Sequence, residues 1–294
     1  MGVRKMKFNV SVDSFVCGSK SHYICEDYAI HYSDPNGNFC LAIVCDGCSS
    51  SAHTDVGARI IAHIIKKYMV DRLSWGMYPD WSEIWKATLK KSIEISHILN
   101  IGENDIACLF STALILFSFK ECVHIYIYGD GSFVRSFNDG GYVIDTIIPP
   151  QNAPDYMIYQ YDYTLRSKYL EMVAGEYSKI QTTFIHKNWS NTVIEENIME
   201  EKIWTDRPVV YTYPLKTKKI KDISIFSDGI GSFIKPNAEN LSIINNVQAL
   251  HSFKSYTGDF VKKRCKGFMR ECNTNGYSNA DDFSMATIHI EYEE

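Results

Sequence analysis

Three short apolar runs in this chain each stop on an acid followed by a glycine. They are Ala42-Ile43-Val44-Cys45-Asp46-Gly47, Ile125-Tyr126-Ile127-Tyr128-Gly129-Asp130-Gly131 and Ile223-Ser224-Ile225-Phe226-Ser227-Asp228-Gly229. Each has the length of a buried strand and is rich in β-branched and aromatic residues. Each therefore delivers one carboxylate to a strand end, where the glycine allows a sharp turn and a close backbone approach to a ligand or ion. Glu26-Asp27 early in the chain and Asp281-Asp282 late in it extend the set. Carboxylates crowded into one pocket repel unless cations sit among them, and hard oxygen donors suit Mg²⁺ or Mn²⁺.

The acidic pieces are spread from end to end of the 294 residues, so residues 1–294 are expected to form one domain, and 45% hydrophobic content suffices for a substantial core. A net charge of −5 and a pI near 6.0 leave no basic footprint for nucleic acid or an anionic membrane. A phosphate-bearing partner would need local cations such as metals. No apolar run reaches the length of a membrane span, and Met1 to Met6 lack the apolar core of a signal peptide, so a soluble cytoplasmic protein is expected. Gly2 invites myristoylation, but Met6 stands where that motif wants Ser or Thr. The nine cysteines include Cys40, Cys45 and Cys122 inside apolar runs, where they read as small buried hydrophobes of a reducing compartment. Cys45 and Cys48 make a Cys-x-x-Cys, but no second pair completes a zinc site, and a redox pair would open a helix rather than enclose an acid and a glycine.

Residues 7–16 alternate as a first strand, and Glu26 to Tyr32 with Phe39 to Cys45 make a hairpin around Asp34-Pro35-Asn36-Gly37, which brings Glu26 near Asp46. Thr54 or Asp55 is placed to cap a helix whose buried face is Val56, Ile60, Ile61, Ile64, Ile65 and Met69. A second helix is expected from Trp81 or Ser82 to Leu99, burying Ile84, Leu89, Ile93, Ile95 and Ile98, with Gly102 to Asp105 as its break. A meander follows: 111–119, 123–128, 132–137 and 142–148, with Asp139-Gly140 read as a hairpin turn. The Tyr-rich stretch 149–220 reads as strands near 182–185 and 209–213 with a long irregular excursion, either a substrate or partner platform or part of the core. Strand 220–226, helices near 239–250 and 258–272, and a strand from Asp282 to Tyr292 close the chain. Tandem amphipathic helices beside a meander point to an α+β layered fold rather than a doubly wound parallel sheet.

Glu26-Asp27, Val44-Cys45-Asp46-Gly47, Phe110-Ser111-Thr112-Ala113, Tyr128-Gly129-Asp130-Gly131, Phe226-Ser227-Asp228-Gly229 and Asp281-Asp282-Phe283-Ser284, in this order, resemble the metal-dependent serine/threonine protein phosphatases of the PP2C (PPM) family. Asp46-Gly47-Cys48-Ser49-Ser50, followed by a helix near Val56-Gly57-Ala58-Arg59, looks most like the bacterial-type branch. The resemblance implies a four-layer α-β-β-α sandwich with two central, mainly antiparallel sheets, and a binuclear Mn²⁺ or Mg²⁺ centre. In it Asp46 bridges two ions, Glu26 and the Gly47 carbonyl complete one, and Asp228 with Asp281 complete the other. Asp27 orients water, and Asp130 with Asp228 holds a looser third ion found in many relatives. Of the acidic pair, Asp281 takes the metal, because Phe283-Ser284 then aligns with the motif. The implied chemistry is hydrolysis of phosphoserine and phosphothreonine in proteins by direct attack of a metal-bridging water, on substrates supplied by a Ser/Thr kinase, with no nucleic acid or membrane partner.

Two departures stand out. Many relatives grip the substrate phosphate with an Arg shortly before the Glu-Asp pair; here His22 stands nearest that place, with Lys20 close by. Many eukaryotic relatives have His directly after the Asp-Gly as general acid, where this chain has Cys48, leaving metal-bound water, His22 or His53 as other proton donors. The catalytic set is thus Asp27, His22 and Cys48. Two other readings stay open: a catalytically weak relative serving as a binding or regulatory module, and a metal-dependent hydrolase of small phosphate esters.

Overall fold

A computed structural model of the chain describes residues 8–101, 106–187, 192–199, 208–217 and 219–292. The expected helix break at residues 102–105 and the first residue of the expected opening strand lie outside the described residues. The elements in chain order are β1 (Phe8–Cys17), β2 (Tyr28–Ser33), β3 (Phe39–Cys45), α1 (Thr54–Ser74), α2 (Trp81–Leu99), β4 (Ala113–Phe119), β5 (Cys122–Tyr128), β6 (Gly131–Phe137), β7 (Tyr142–Ile148) and α3 (Tyr163–Met172). They continue with β8 (Lys179–Lys187), β9 (Thr192–Met199), β10 (Val209–Pro214), β11 (Ile220–Phe226), β12 (Phe233–Ile234), α4 (Ile243–Leu250), α5 (Phe260–Thr274), β13 (Ser278–Asn279) and β14 (Phe283–Tyr292).

One sheet runs β1-β14-β11-β6-β7-β8-β9 and the other β10-β5-β4-β3-β2, with every pairing antiparallel. The central strands are apolar on both faces because each face has a layer to cover. In β3, Cys40, Ala42 and Val44 pack into the space between the sheets with Leu114, Leu116, Ile223, Ile225, Ala286 and Ile288. Leu41, Ile43 and Cys45 point the other way, onto Ala58, Ile61, Ile65 and Met69 of α1 and Ile84 and Leu89 of α2. On the opposite side Phe226, Phe283 and Met285 meet Val247 and Leu250 of α4 and Phe260, Val261, Cys265 and Phe268 of α5. Period-two alternation in the strands thus builds three cores between four layers. This is the expected α+β sandwich. All nine cysteines are free thiols, five of them buried, and among the described residues no helix is long and apolar enough to cross a membrane.

Several local expectations give way to tertiary contacts. Neither Thr54 nor Asp55 caps α1: the N-cap is His53 in a left-handed conformation (φ 57°) with no side-chain cap, because the Thr54 hydroxyl is spent on Glu26. Ile98 is 80% exposed, and α2 turns Thr88, Ser92 and Ser96 inward instead. The fourth helix starts at Ile243 rather than near Glu239, capped by the Ser242 hydroxyl accepting from Asn245 N–H at 3.2 Å. The excursion is more regular than expected: α3 precedes β8 and β9, which extend one sheet, and β10 edges the other.

Under α4, His251 is buried among the rings of Tyr142, Phe226 and Phe253, and neither ring nitrogen has a hydrogen-bond partner. Burial holds its pKa down to about 4 from the ordinary 6.5. The unfolded chain takes up this proton as pH falls below 6.5 while the folded chain refuses it until about 4, so the stability present above pH 6.5 is lost across that window. Fully realised, the loss is about 3 kcal/mol. Urea titrations at stepwise lower pH are expected to show this decline in wild type and a shallower one in His251→Phe; equal slopes would remove His251 as the cause.

Candidate metal centre

The acid-glycine ends gather at one end of the sandwich. The β2–β3 register pairs Tyr28 with Cys45, so Glu26-Asp27 and Asp46-Gly47 run off adjacent strands together, and Gly47 N–H donates to the Glu26 carbonyl at 3.3 Å. Asp46 is fixed from the other side, its N–H donating to Thr112 Oγ1 at 3.2 Å and its carbonyl accepting from Thr112 N–H at 2.8 Å. A Cβ on Gly47 would lie 2.8 Å from Thr54 Cβ and 2.9 Å from the Thr54 carbonyl oxygen, so only glycine fits this crossing. On the second sheet, Asp228 follows β11 and Asp281 precedes β14. There the backbone at Gly229 packs so tightly on the Asp282 carbonyl that a Cβ would stand 1.7 Å from its oxygen.

Asp46 lies close to both Asp27 and Asp228, and it also feels Asp130. Desolvation first, then these like charges, raise its pKa well above the usual carboxylate range. Asp130 is raised to about 8 by burial and then by Asp228 and Asp281, and Asp281 is raised by burial and Asp228. Glu26 is raised mainly by burial, while Thr54 Oγ1 donates to its Oε1 at 2.9 Å. Asp27 is buried, accepts from Ser227 Oγ on Oδ2 at 2.7 Å, and has no partner for Oδ1. The donor set is therefore all oxygen, crowded, mutually repelling and under-satisfied, which fits hard divalent cations.

The neighbouring acid Asp282 does different work. It is buried, and its Oδ1 and Oδ2 accept from Ser19 N–H at 2.6 Å and Glu26 N–H at 2.7 Å. Asp282 thereby clamps the loop carrying His22 and Glu26, while Asp281, half-exposed, faces Asp228. His22 Nδ1 lies 3.5 Å from Asp282, 3.7 Å from Asp281 and 4.0 Å from Glu26. His22, Glu26 and Asp282 could themselves hold an ion by proximity. Both Asp282 oxygens already accept backbone protons, however, so the trio is better explained as a seat for the imidazole.

Cys48, half-buried, has its thiol 3.1 Å from Ser50 Oγ. Sequence reasoning missed its other neighbour, Tyr156, which the excursion folds back onto the site. Tyr156 is buried against Phe110 and Tyr159, with the Cys48 thiol close to its hydroxyl. Burial, then that contact, push the phenol's pKa up. The abundance of tyrosine in 149–220 was the available signal, and it pointed to the segment without selecting this residue. His53 stands exposed at the start of α1.

Residues 19–263 match the family model described as Protein phosphatase 2C. The match stops short of Asp281-Asp282, whose place in the cluster rests on the contacts above. No curated protein matches the chain. Among solved structures, it resembles serine-threonine phosphatase 2C from Toxoplasma gondii (11% identity, 96% of this chain and 95% of that one, TM-score 0.55). It also resembles a bacterial serine phosphatase (14% identity, 96% and 98%, TM-score 0.50). A third likeness is to the PP2C phosphatase domain with a fragment of the regulatory domain of the cell fate determinant SpoIIE from Bacillus subtilis (14% identity, 99% and 66%, TM-score 0.50). At such identities the likeness is one of fold.

Replacing Asp46 removes the charge at the centre of the cluster. Without metal, Asp46→Asn is expected to melt above wild type, since one repelling carboxylate is gone. Mn²⁺ is expected to raise the melting temperature of wild type, by the equivalent of about 2.7 kcal/mol at a hundredfold excess over Kd, and to leave the variant unmoved. Scanning fluorimetry with EDTA and with Mn²⁺ measures both; equal gains in the two proteins would put the ions elsewhere.

Proposed function

Because the chain belongs to the protein phosphatase 2C family, we propose that residues 1–294 act as one metal-dependent domain that hydrolyses phosphoserine and phosphothreonine in proteins. The observation carrying this reading is the convergence of Asp27, Asp46, Asp130, Asp228 and Asp281 from segments spread over the chain into one mutually repelling group. In this reading Glu26, Asp46, the Gly47 carbonyl, Asp228 and Asp281 would hold two Mn²⁺ or Mg²⁺ ions, and Asp130 with Asp228 would offer a place to a looser third. When bound, the cations supply an acidified water and neutralise phosphoryl oxygens.

The chain's own side chains do the rest. Asp27, with one oxygen held by Ser227 and the other unpartnered, accepts a proton of the attacking water and orients it in line with phosphorus. His22 takes the place of the missing Arg, held at the rim of the cluster by three carboxylates. Cys48, backed by the Tyr156 hydroxyl, supplies the proton for the departing serine or threonine oxygen. The substrate is a phosphoprotein modified by a Ser/Thr kinase in the cytoplasm. The net charge of −5 supports a reading without nucleic acid or membrane partners.

The test is hydrolysis of a phosphothreonine peptide and of p-nitrophenyl phosphate with Mn²⁺, with Mg²⁺ and with EDTA. Turnover is expected only with metal, and Asp46→Asn and Asp228→Asn are each expected to lower it about a hundredfold or more. Cys48→Ser is expected to keep the Mn²⁺-induced thermal shift while slowing the peptide more than p-nitrophenyl phosphate, whose leaving group needs no proton. Metal binding without turnover of either compound would favour the binding-module reading instead, and turnover of the small ester alone would favour the small-ester hydrolase.

A further inference from the structure

A groove of about 690 Å³ runs along the outer face of α5, walled by Lys263, Arg264, Gly267 and Arg270 of the helix and by Lys254 and Ser255 of the preceding loop. None of the acids of the metal cluster lines it. Four cations around one cavity are unexpected in a chain of net charge −5. Arg264 is engaged, forked onto Glu271 through Nη1–Oε1 at 3.2 Å and Nη2–Oε2 at 2.9 Å. Lys254, Lys263 and Arg270 are exposed and have no acidic partner among the described residues.

Lys263, Gly267 and Arg270 fall on one face of the helix, along about 10 Å of its axis. Glycine inside a helix costs about 1 kcal/mol relative to alanine. Packing does not demand it here, since a Cβ on Gly267 would stand at an ordinary 3.5 Å from Arg264 Nη1. Its effect is to leave the groove floor open between the cations. An extended chain, in which side chains on the same side recur about every 7 Å, would bring them within reach of the long Lys263 and Arg270 side chains, with Lys254 also in the wall. A nucleotide base would find no ring to stack on, because Phe260 in the wall is buried, and the cations flank no exposed apolar face of the kind that enters a bilayer.

We propose that this groove is a second recognition site, which takes an extended acidic peptide segment. It deepens the phosphatase reading in one respect, that the segment belongs to the phosphoprotein substrate; the binding itself does not depend on turnover. The experiment is fluorescence anisotropy in EDTA, where no catalysis occurs and the metal cluster repels acids, using a labelled peptide alternating glutamate and alanine and its glutamine counterpart. The glutamate peptide is expected to bind, less tightly as salt rises, and the glutamine peptide not to. The double variant Lys263→Glu with Arg270→Glu is expected to weaken binding about tenfold or more. Gly267→Leu, which fills the floor but keeps every charge and favours the helix, is expected to weaken it as well. Lys67→Glu on α1, half that charge change on another layer, is expected to leave it unchanged. Thermal melts establish that each variant is folded. Equal affinity in all variants, equal loss in Lys67→Glu, or retention on phosphatidylserine vesicles through the same residues with no peptide binding would each overturn the proposal.

Discussion

The hydrogen bond from Ser227 Oγ to Asp27 Oδ2, buried and 2.7 Å long, ties the two sheets together at the acidic end. Asp27 leads into β2 of one sheet; Ser227 leaves β11 of the other and in turn accepts from Ser284 N–H in β14 at 3.0 Å. Asp282 repeats the link, holding Ser19 and Glu26 from the start of β14. Apolar packing between the sheets sets their separation but is indifferent to small slides. These directional contacts are not, and they determine which carboxylates face each other.

That constraint explains why repulsion among the acids is retained in the fold. A surface acid relieves a like neighbour by swinging into water; Asp27 and Asp130 are buried, and the Asp46 backbone is held on both sides by Thr112. Their remaining response without cations is to hold protons, which is the direction of their shifts. The cost is borne by three apolar cores whose strands are covered on both faces. A site of this kind is tolerable only at the edge of so large a core.

The strands leading to Asp46, Asp130 and Asp228 were legible because a buried strand ending in Asp-Gly is a local pattern, complete within seven or eight residues of sequence. The features that escaped depend on partners far along the chain. Thr54 reads as a helix cap until Glu26 claims its hydroxyl, and the clamping role of Asp282 rests on backbone protons donated by Ser19 and Glu26 across the molecule. Ile98 fits the helical period, yet α2 turns Ser96 inward and leaves that side chain in water. The ten residues of α3 bury one residue of the helix, Tyr169, too little to make a periodic signal. Nothing local assigns β8 and β10 to different sheets, because both read as short extended segments.

Net charge illustrates the same limit. A value of −5 averages an acidic end, built from strand termini, with a cationic face on α5, and the two lie on different layers of the sandwich. Fields from exposed charges fade over roughly 10 Å in physiological salt, so a ligand meets the local charge and not the sum. On the proposals made above, the acidic end would repel anions until cations fill it, while the α5 face would attract them regardless. A chain arranged this way would prefer anions in two places governed by different conditions, one by metal and the other by ionic strength alone.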